Sequence, residues 1–308
     1  MAIDLGHSKL RRAVVRDDLS VEAEHTVSSR ALSQEDLLAL LATEIREVFT
    51  ERTVAVAVSC ASTIDRDGTL VWTGSLPLGG FGLRTHLEET FRVPVVVEND
   101  GNAAAVGEHR AGAGVGTSDL VLLTIGTGVG GGVILNDRLH RGANGIAGEL
   151  GHFSVDPRGP RCIPGCSGLG HLDVIASGTA LDAAARAAAA RHPESGLGRR
   201  AAAGAPVDGP AAVELARAGD LVARVAVLRI GRTLGRAACT LVTILDPELV
   251  VLSGGAAAAG ELLLEPMRRF VRRHGLAPAR DRVRIELGRL GDHAGLVGAG
   301  ILALEAAG

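Results

Sequence analysis

Two histidines and two cysteines lie close together in the middle of the chain: His152, Cys162, Cys166 and His171. Thiolates and imidazoles are the usual ligands of tetrahedral Zn²⁺, and four protein ligands leave no open position for catalysis. The prolines and glycines between them suit a loop that a metal holds in place. Surface histidines and buried cysteines without a metal are the alternative. The spacing favours a structural zinc site.

A second group of reactive side chains follows the apolar run Val95–Val97, where Asn99 and Asp100 precede an alanine-rich stretch. A carboxylate at the end of a buried strand can accept the proton of an alcohol nucleophile. Asn and Asp also cap helices, and for this pair taken alone capping is the favoured interpretation.

Three glycine-containing turns could receive a phosphate or a nucleoside, because backbone without a Cβ can approach a ligand closely. They are Asp4-Leu-Gly-His-Ser-Lys9, Thr124–Gly132 and Ser253-Gly-Gly255. In the first, Asp4 could orient hydrated Mg²⁺ and Lys9 could face phosphate. Each segment could equally be an ordinary turn.

The context of Thr124–Gly132 excludes two common nucleotide motifs. No Gly-Lys-Ser/Thr follows it, so it is not a Walker loop, and the next residues are the strand-like run Val133–Leu135 instead of a helix. A dinucleotide-dependent oxidoreductase is therefore disfavoured.

Short apolar runs alternate with amphipathic stretches, which predicts an α/β fold with buried sheets. The predicted strands are Val54–Val58, Val95–Val97, Leu120–Ile125 and Leu249–Leu252. Ser33 to Asp36 resembles a capping box and begins a predicted helix. A second helix is predicted from about Asp220 to Val242, and Glu194–Pro210 is predicted to be a surface loop.

The composition is that of a protein with a sizeable core and no broad basic surface. Of 308 residues 46% are hydrophobic and 22% charged, and the formal net charge is −3. These values disfavour nucleic acid as a partner. Four cysteines are too few for a disulfide scaffold, and no signal peptide or membrane span is evident, so we expect a cytoplasmic protein with no membrane partner.

In this order, the segments resemble the ROK family of bacterial sugar kinases and related repressors, within the actin/hexokinase-like ATPase superfamily. The resemblance covers essentially the whole chain. The motifs that carry it are Glu98–Asn102, Gly126-Thr-Gly128, Glu149-Leu-Gly-His152, the Cys/His loop ending in Ala176-Ser-Gly178, Ser253-Gly-Gly255 and Leu290–Ala299.

The resemblance implies a two-lobed actin/hexokinase-like, ribonuclease H-like fold of the α/β class, with an active-site cleft between the lobes. The smaller lobe would comprise residues 1–107 plus 291–308. The larger would comprise 108–290 and carry the zinc loop 152–171. Resemblance to the family also implies a homodimer.

The implied reaction is phosphorylation of a hexose at its 6-hydroxyl by ATP with Mg²⁺, with Asp100 as general base. The implied sugar ligands are Asn99, Asp100, Glu149, His152 and Asp173. The implied ligands of ATP and Mg²⁺ are Asp4, Gly6, Ser8, Lys9, Thr127, Gly128, Gly254 and Gly255. Zinc would be structural.

His7 stands where the family's phosphate turn has a second glycine. If that position needs a positive φ, a side chain there costs on the order of 1–3 kcal/mol and weakens ATP binding. The alternative is that His7 contacts the phosphate directly.

Other positions also depart from the family's pattern. His171 stands in place of a third cysteine, and Ser59–Ser62 replaces a turn with Gly and Pro. Asp173 replaces a sugar-binding Glu, which withdraws the carboxylate by about one methylene and changes the substituent it can reach.

Two alternatives to a glucokinase-like activity therefore remain. One is a kinase for an amino- or N-acylamino-hexose, such as 3-amino-glucose or N-acetylmannosamine. The other is a non-catalytic sugar-binding regulator. DNA repression is disfavoured because Asp4 leaves no room for a preceding helix-turn-helix domain.

Overall fold

The computed structural model describes residues 1–74 and 76–308, which form two compact units. The first unit contains Met1–Leu122, Gly131–Glu149 and Arg289–Gly308, and the second contains Leu123–Gly130 and Leu150–Gly288. The predicted lobes divide the chain at different residues, and their boundaries stay a prediction.

The strands of the described residues are β1 Ala2–Leu5, β2 Lys9–Val15, β3 Val21–Ser28, β4 Val56–Cys60, β5 Thr63–Ile64, β6 Leu70–Trp72, β7 Val95–Asn99, β8 Leu120–Ile125, β9 Val129–Leu135, β10 Arg138–Leu139, β11 Leu249–Ser253 and β12 Arg284–Leu287. The α-helices are α1 Gln34–Arg46, α2 Leu83–Phe91, α3 Asp100–Ala111, α4 Leu172–Ala176, α5 Gly178–Arg191, α6 Gly196–Ala202, α7 Gly209–Arg217, α8 Leu221–Leu245, α9 Glu261–His274, α10 Ala279–Arg282 and α11 Ala294–Ala307. The four predicted strands are confirmed within two residues at each end.

The two large sheets have the same strand order. The first has the order β3-β2-β1-β4-β7 and the second has the order β10-β9-β8-β11-β12. When the strands of each sheet are counted along the chain, both sheets have the order third, second, first, fourth, fifth. In the first sheet β1 pairs antiparallel with β2 and parallel with β4, and β4 pairs parallel with β7. The two sheets therefore repeat one strand order.

Strand register in the first sheet brings polar residues to one edge. Leu5 pairs with Cys60, and Cys60 pairs with Asn99. One residue earlier, Asp4 pairs with Ser59. The carboxyl ends of three parallel strands therefore meet just before the chain enters α3.

Helix α1 confirms the prediction from the capping box. The Ser33 hydroxyl accepts a hydrogen bond from the Asp36 backbone N–H at 3.1 Å and donates to the Asp36 carboxylate at 2.7 Å. Leu37, Leu41 and Ile45 are fully buried, as the helical spacing of apolar residues predicts. The N-terminal cap and this apolar face explain where the helix begins and how it packs.

Helices α3 and α11 pack with their backbones in close approach. At Gly107 and Gly298, a Cβ atom would overlap the backbone of the opposite helix, at Ala294 and Ala103 respectively. Only glycine fits at these two positions without moving a helix. This packing fixes α3, whose first residue is Asp100.

The predicted long helix is confirmed as α8, which has 25 residues and is capped by Asp220. The prediction of a loop over Glu194–Pro210 is partly wrong, since it contains α6 and the first residues of α7. Ser195 caps α6 by accepting from the Gly198 N–H, and this signal was overlooked among the small residues. No helix of the described chain is long and apolar enough to cross a membrane.

Candidate active site and metal centre

Asp100 lies at the junction of β7 and α3. The Asn99 side chain accepts a hydrogen bond from the Asn102 N–H at 3.0 Å and is therefore the N-cap of α3. Its amide nitrogen donates to the Ser62 carbonyl at 3.1 Å. Because Asn99 caps the helix, capping does not account for the carboxylate at Asp100.

The environment of Asp100 favours the protonated form of its carboxyl. Burial of the carboxyl is the largest cause, and the negative charges of Asp4 and Glu149 add to it. A hydrogen bond from the Gly101 N–H acts in the opposite direction. Together they raise the pKa of Asp100 from 3.8 to about 7. A carboxylate with this pKa can accept a proton near neutral pH.

Asp4 is held by Arg11, which the sequence analysis missed. The Arg11 guanidinium donates from Nη2 and Nε to Asp4 Oδ2, at 2.5 and 3.2 Å. Asp4 and Arg11 are direct partners in the register of β1 and β2. An opposite charge seven residues beyond the Asp, across a short turn, is the signal that could have identified this pair.

Glu149 is positioned from two sides within the first unit. The Thr63 hydroxyl donates to Glu149 Oε1 at 2.8 Å. The preceding Gly148 has a φ of 100°, and a Cβ there would lie 2.7 Å from Asn102 Oδ1. Glycine at this position therefore lets the chain turn against α3 and present Glu149.

An ion pair between half-buried Arg141 and buried Glu98 also fastens the segment that leads to Glu149. Arg141 Nε donates to Glu98 Oε2 at 2.7 Å, and Glu98 Oε1 accepts from Asn102 Nδ2 at 2.9 Å. Glu98 is the fourth residue of β7 and is only 5% exposed. A charged residue inside an apolar strand was the available signal for this pair, but its partner could not be read from the sequence.

The turn between β1 and β2 contains two of the predicted ATP ligands, Gly6 and Ser8, and a third, Lys9, is the first residue of β2. The Gly6 N–H donates to the Lys9 carbonyl at 2.9 Å, which closes the turn. The φ of His7 is not positive, so the expected backbone strain at this residue is absent. The first alternative for His7, a strained turn, is therefore wrong.

The glycine-rich turn, defined as Gly126–Gly128, lies in the second unit between β8 and β9. Gly126 and Thr127 are exposed. The Gly178 N–H donates to the Gly126 carbonyl at 2.8 Å, and the Thr179 hydroxyl donates to the Thr127 carbonyl at 2.7 Å. The turn is thus open to solvent and fixed from one side.

The second glycine segment of this unit lies against the first. Gly254 has a φ of 85°, and a Cβ there would lie 2.7 Å from the carbonyl oxygen of Ile125, the last residue of β8. Gly255 follows at the start of a 3₁₀ turn. The ends of β8 and β11 therefore present two glycine segments side by side.

The predicted metal ligands come together. The ligand atoms of His152, Cys162, Cys166 and His171 all lie within 4.8 Å of one another. Cys162 Sγ lies 3.5 Å from His152 Nδ1, and Cys166 Sγ lies 3.5 Å from His171 Nδ1. Tetrahedral zinc with its usual bond lengths places sulfur and nitrogen ligands about 3.5 Å apart. Both donor type and spacing fit zinc.

The sheets and their helices define an α/β protein of the actin/hexokinase-like, ribonuclease H-like class, as predicted. The chain belongs to the ROK family, whose model matches residues 1–306.

Relatives of two activities are similar to this chain. A glucokinase of Streptomyces coelicolor is 31% identical over 313 residues, which cover 99% of this chain and 97% of that protein. An N-acetylmannosamine kinase of Citrobacter koseri is 35% identical over 309 residues, which cover 98% of each. A ROK family glucokinase from Streptomyces griseus, solved in complex with glucose and AMPPNP, is 32% identical with a TM-score of 0.86 and covers 99% of this chain and 98% of that one.

The raised pKa of Asp100 predicts how Asp100→Asn changes stability. The folded protein keeps the proton up to about pH 7, whereas the unfolded chain releases it near pH 3.8, so the wild type loses stability as pH rises through this window. Asparagine carries no charge, so thermal unfolding should show the variant gaining stability relative to wild type between these two pH values.

Asp17→Asn is the matched control, because Asp17 is an exposed carboxylate of the same unit. It should show no gain that grows with pH. A stability difference between Asp100→Asn and wild type that stays constant from pH 3.8 to about pH 7 would contradict the raised pKa.

Proposed function

We propose that this protein is an ATP-dependent sugar kinase that transfers the γ-phosphoryl group to a hexose, at its 6-hydroxyl, with Asp100 as general base. The observation that carries the proposal is the position of Asp100 at the start of α3, with a pKa raised to about 7. The similarity to glucokinases and N-acetylmannosamine kinases over nearly the whole chain supports the same reaction.

In this reaction Asp100 accepts the hydroxyl proton of the sugar as its oxygen bonds to the γ-phosphorus. The bond from that phosphorus to the bridging oxygen breaks, and ADP leaves with the electron pair. Phosphoryl transfer depends mainly on positioning and on charge stabilisation. Asn99, Glu149 and His152 would position the sugar by hydrogen bonds to its other hydroxyls.

The nucleotide would be held by backbone at the glycine segments. Thr127 and Gly128 would face the phosphates, Gly254 and Gly255 would lie against the nucleoside, and Gly6, Ser8 and Lys9 would add further phosphate contacts. The exposure of Gly126 and Thr127 supports the first of these roles. Mg²⁺, when bound, neutralises phosphate charge, and Asp4 is the carboxylate that would orient it.

The sugar itself is proposed as glucose, with N-acetylmannosamine or another amino-hexose as the competitor. Glucose corresponds to the glucokinase relative and N-acetylmannosamine to the N-acetylmannosamine kinase relative, and both relatives are over 30% identical to this chain. We also propose that the protein forms a homodimer, as its resemblance to the family implies.

The metal centre is proposed to hold one structural Zn²⁺ through His152, Cys162, Cys166 and His171. The 3.5 Å separations between sulfur and nitrogen atoms support this. Zinc would join residues 152–171 into one rigid loop, which would place His152 for its second role as a sugar ligand.

The kinase activity is tested by ADP release from purified protein with Mg-ATP across glucose, mannose, fructose, glucosamine, 3-amino-glucose and N-acetylmannosamine. We expect sugar-dependent ADP release with one or two of these sugars. Asp100→Asn should lower the rate by about 10²–10⁴-fold, the usual contribution of a general base.

Asp17→Asn should keep the wild-type rate. Sugar binding without ADP release by the wild type would contradict the proposal and favour the non-catalytic regulator. Full activity of Asp100→Asn would remove Asp100 from the mechanism.

Zinc is tested by elemental analysis of purified protein, for which we expect about one zinc per chain because four ligands complete a tetrahedral site. Cys162→Ser should lose most of the metal and unfold at a lower temperature. Cys239→Ser, at a half-buried cysteine of α8, is the control and should keep the metal. Purified wild-type protein that contains no zinc would contradict the proposal.

A further inference from the structure

The carboxylate of Asp173 bonds to the chain directly after the glycine-rich turn. Asp173 Oδ1 accepts a hydrogen bond from the Val129 N–H at 2.6 Å. The place that a Cβ on Gly128 would occupy is filled by the same oxygen. The resemblance to the family had implied that this residue reads the sugar, but here one of its oxygens already has a partner in the protein.

Asp173 is one of three attachments between the turn and a single short segment. Gly178 bonds to the Gly126 carbonyl and Thr179 to the Thr127 carbonyl, so all three attachments come from residues 173–179. Gly178 and Thr179 hold the turn by its carbonyl oxygens, whereas Asp173 holds it by an N–H group. The turn is therefore held near both of its ends, by hydrogen bonds to its carbonyl oxygens and by one from the N–H group that follows it.

Of the three hydrogen bonds, the one accepted by the Asp173 carboxylate is of the strongest type. A carboxylate that accepts from a backbone N–H forms a charge-assisted hydrogen bond, roughly twice as strong as a neutral one.

We propose that Asp173 is a positioning residue for the glycine-rich turn and not a ligand of the sugar. It holds the Gly128–Val129 peptide so that the exposed residues Gly126 and Thr127 keep the shape that receives the ATP phosphates. Selection among sugars then falls to Asn99, Glu149 and His152. This inference rests on the proposed function, because it assigns ATP to the turn.

The geometry also connects the metal centre to the turn. His171, the last of the four cysteine and histidine ligands, is the N-cap of α4, and Asp173 lies in the first turn of that helix. A metal-held loop would therefore fix the start of α4 and with it the Asp173 carboxylate. The metal-binding loop, the start of α4 and the glycine-rich turn all belong to the second unit.

The test compares Asp173→Ala, which removes the acceptor, with Asp173→Asn, which keeps an amide oxygen in its place. Four quantities are measured: the KM for ATP, the KM for the sugar, the Kd of AMPPNP without sugar, and the exchange rate of the Val129 amide by NMR. Asp182→Asn is the control, because Asp182 accepts from the Gly209 N–H at the same 2.6 Å and is half-buried too.

For Asp173→Ala we expect the KM for ATP and the Kd of AMPPNP to rise about tenfold, as loss of one hydrogen bond to a charged group predicts. The KM for the sugar should stay within about twofold. Exchange of the Val129 amide should accelerate. Asp173→Asn should restore nucleotide binding to within about threefold of wild type, and Asp182→Asn should change none of these quantities.

An increased KM for the sugar with unchanged nucleotide binding would overturn the proposal and make Asp173 a sugar ligand. Unchanged Val129 exchange in Asp173→Ala would also overturn it, even if that variant were inactive. Failure of the proposed function gives a different result, in which wild-type protein releases no ADP with any sugar although the Val129 amide still responds to Asp173→Ala.

Discussion

The register of three parallel strands is the constraint on which the candidate active site depends. Asp4, Ser59 and Glu98 lie in the same row of β1, β4 and β7, and the next row ends each strand. Asp100 follows directly as the first residue of α3. The sheet thus collects several acidic side chains at one edge, where their charges act on one another.

Like charges in a half-buried setting are unfavourable, and the protein offsets this in separate ways. Arg11 neutralises Asp4, and Arg141 neutralises Glu98. Burial, followed by the nearby charges of Asp100 and other acids, raises the pKa of the Cys60 thiol, which adds no further negative charge. At Asp100, burial and the negative charges of Asp4 and Glu149 instead raise the pKa of the carboxyl to about 7. The raised pKa suits Asp100 to the role of general base that is proposed for it.

The sequence was sufficient to predict features that depend on local pattern. Runs of apolar residues identified β4, β7, β8 and β11, and the Ser33 capping box identified α1. The cysteine and histidine spacing identified a cluster that the fold brings within ligand distance. Family motifs placed Asp100 and the glycine segments.

Features that depend on strand register or on distant contacts could not be predicted in the same way. Arg11 meets Asp4 only through the pairing of β1 with β2, and Arg141 reaches Glu98 across 43 residues of chain. The partner of Asp173 is 44 residues away, so a motif alone could not show that its carboxylate is engaged. The short helix α6 was missed because its cap, Ser195, lies among glycines and alanines that also favour loops.

The most direct test of the central claim is the pH dependence of kcat at saturating Mg-ATP and sugar, with Arg11→Ala alongside the wild type. If Asp100 is the base, the wild-type rate falls about tenfold per pH unit below an inflection at about pH 7. In Arg11→Ala the inflection should move to higher pH, because the charge of Asp4 is no longer compensated. A rate that stays constant well below the inflection, or an inflection that Arg11→Ala leaves in place, would contradict the claim.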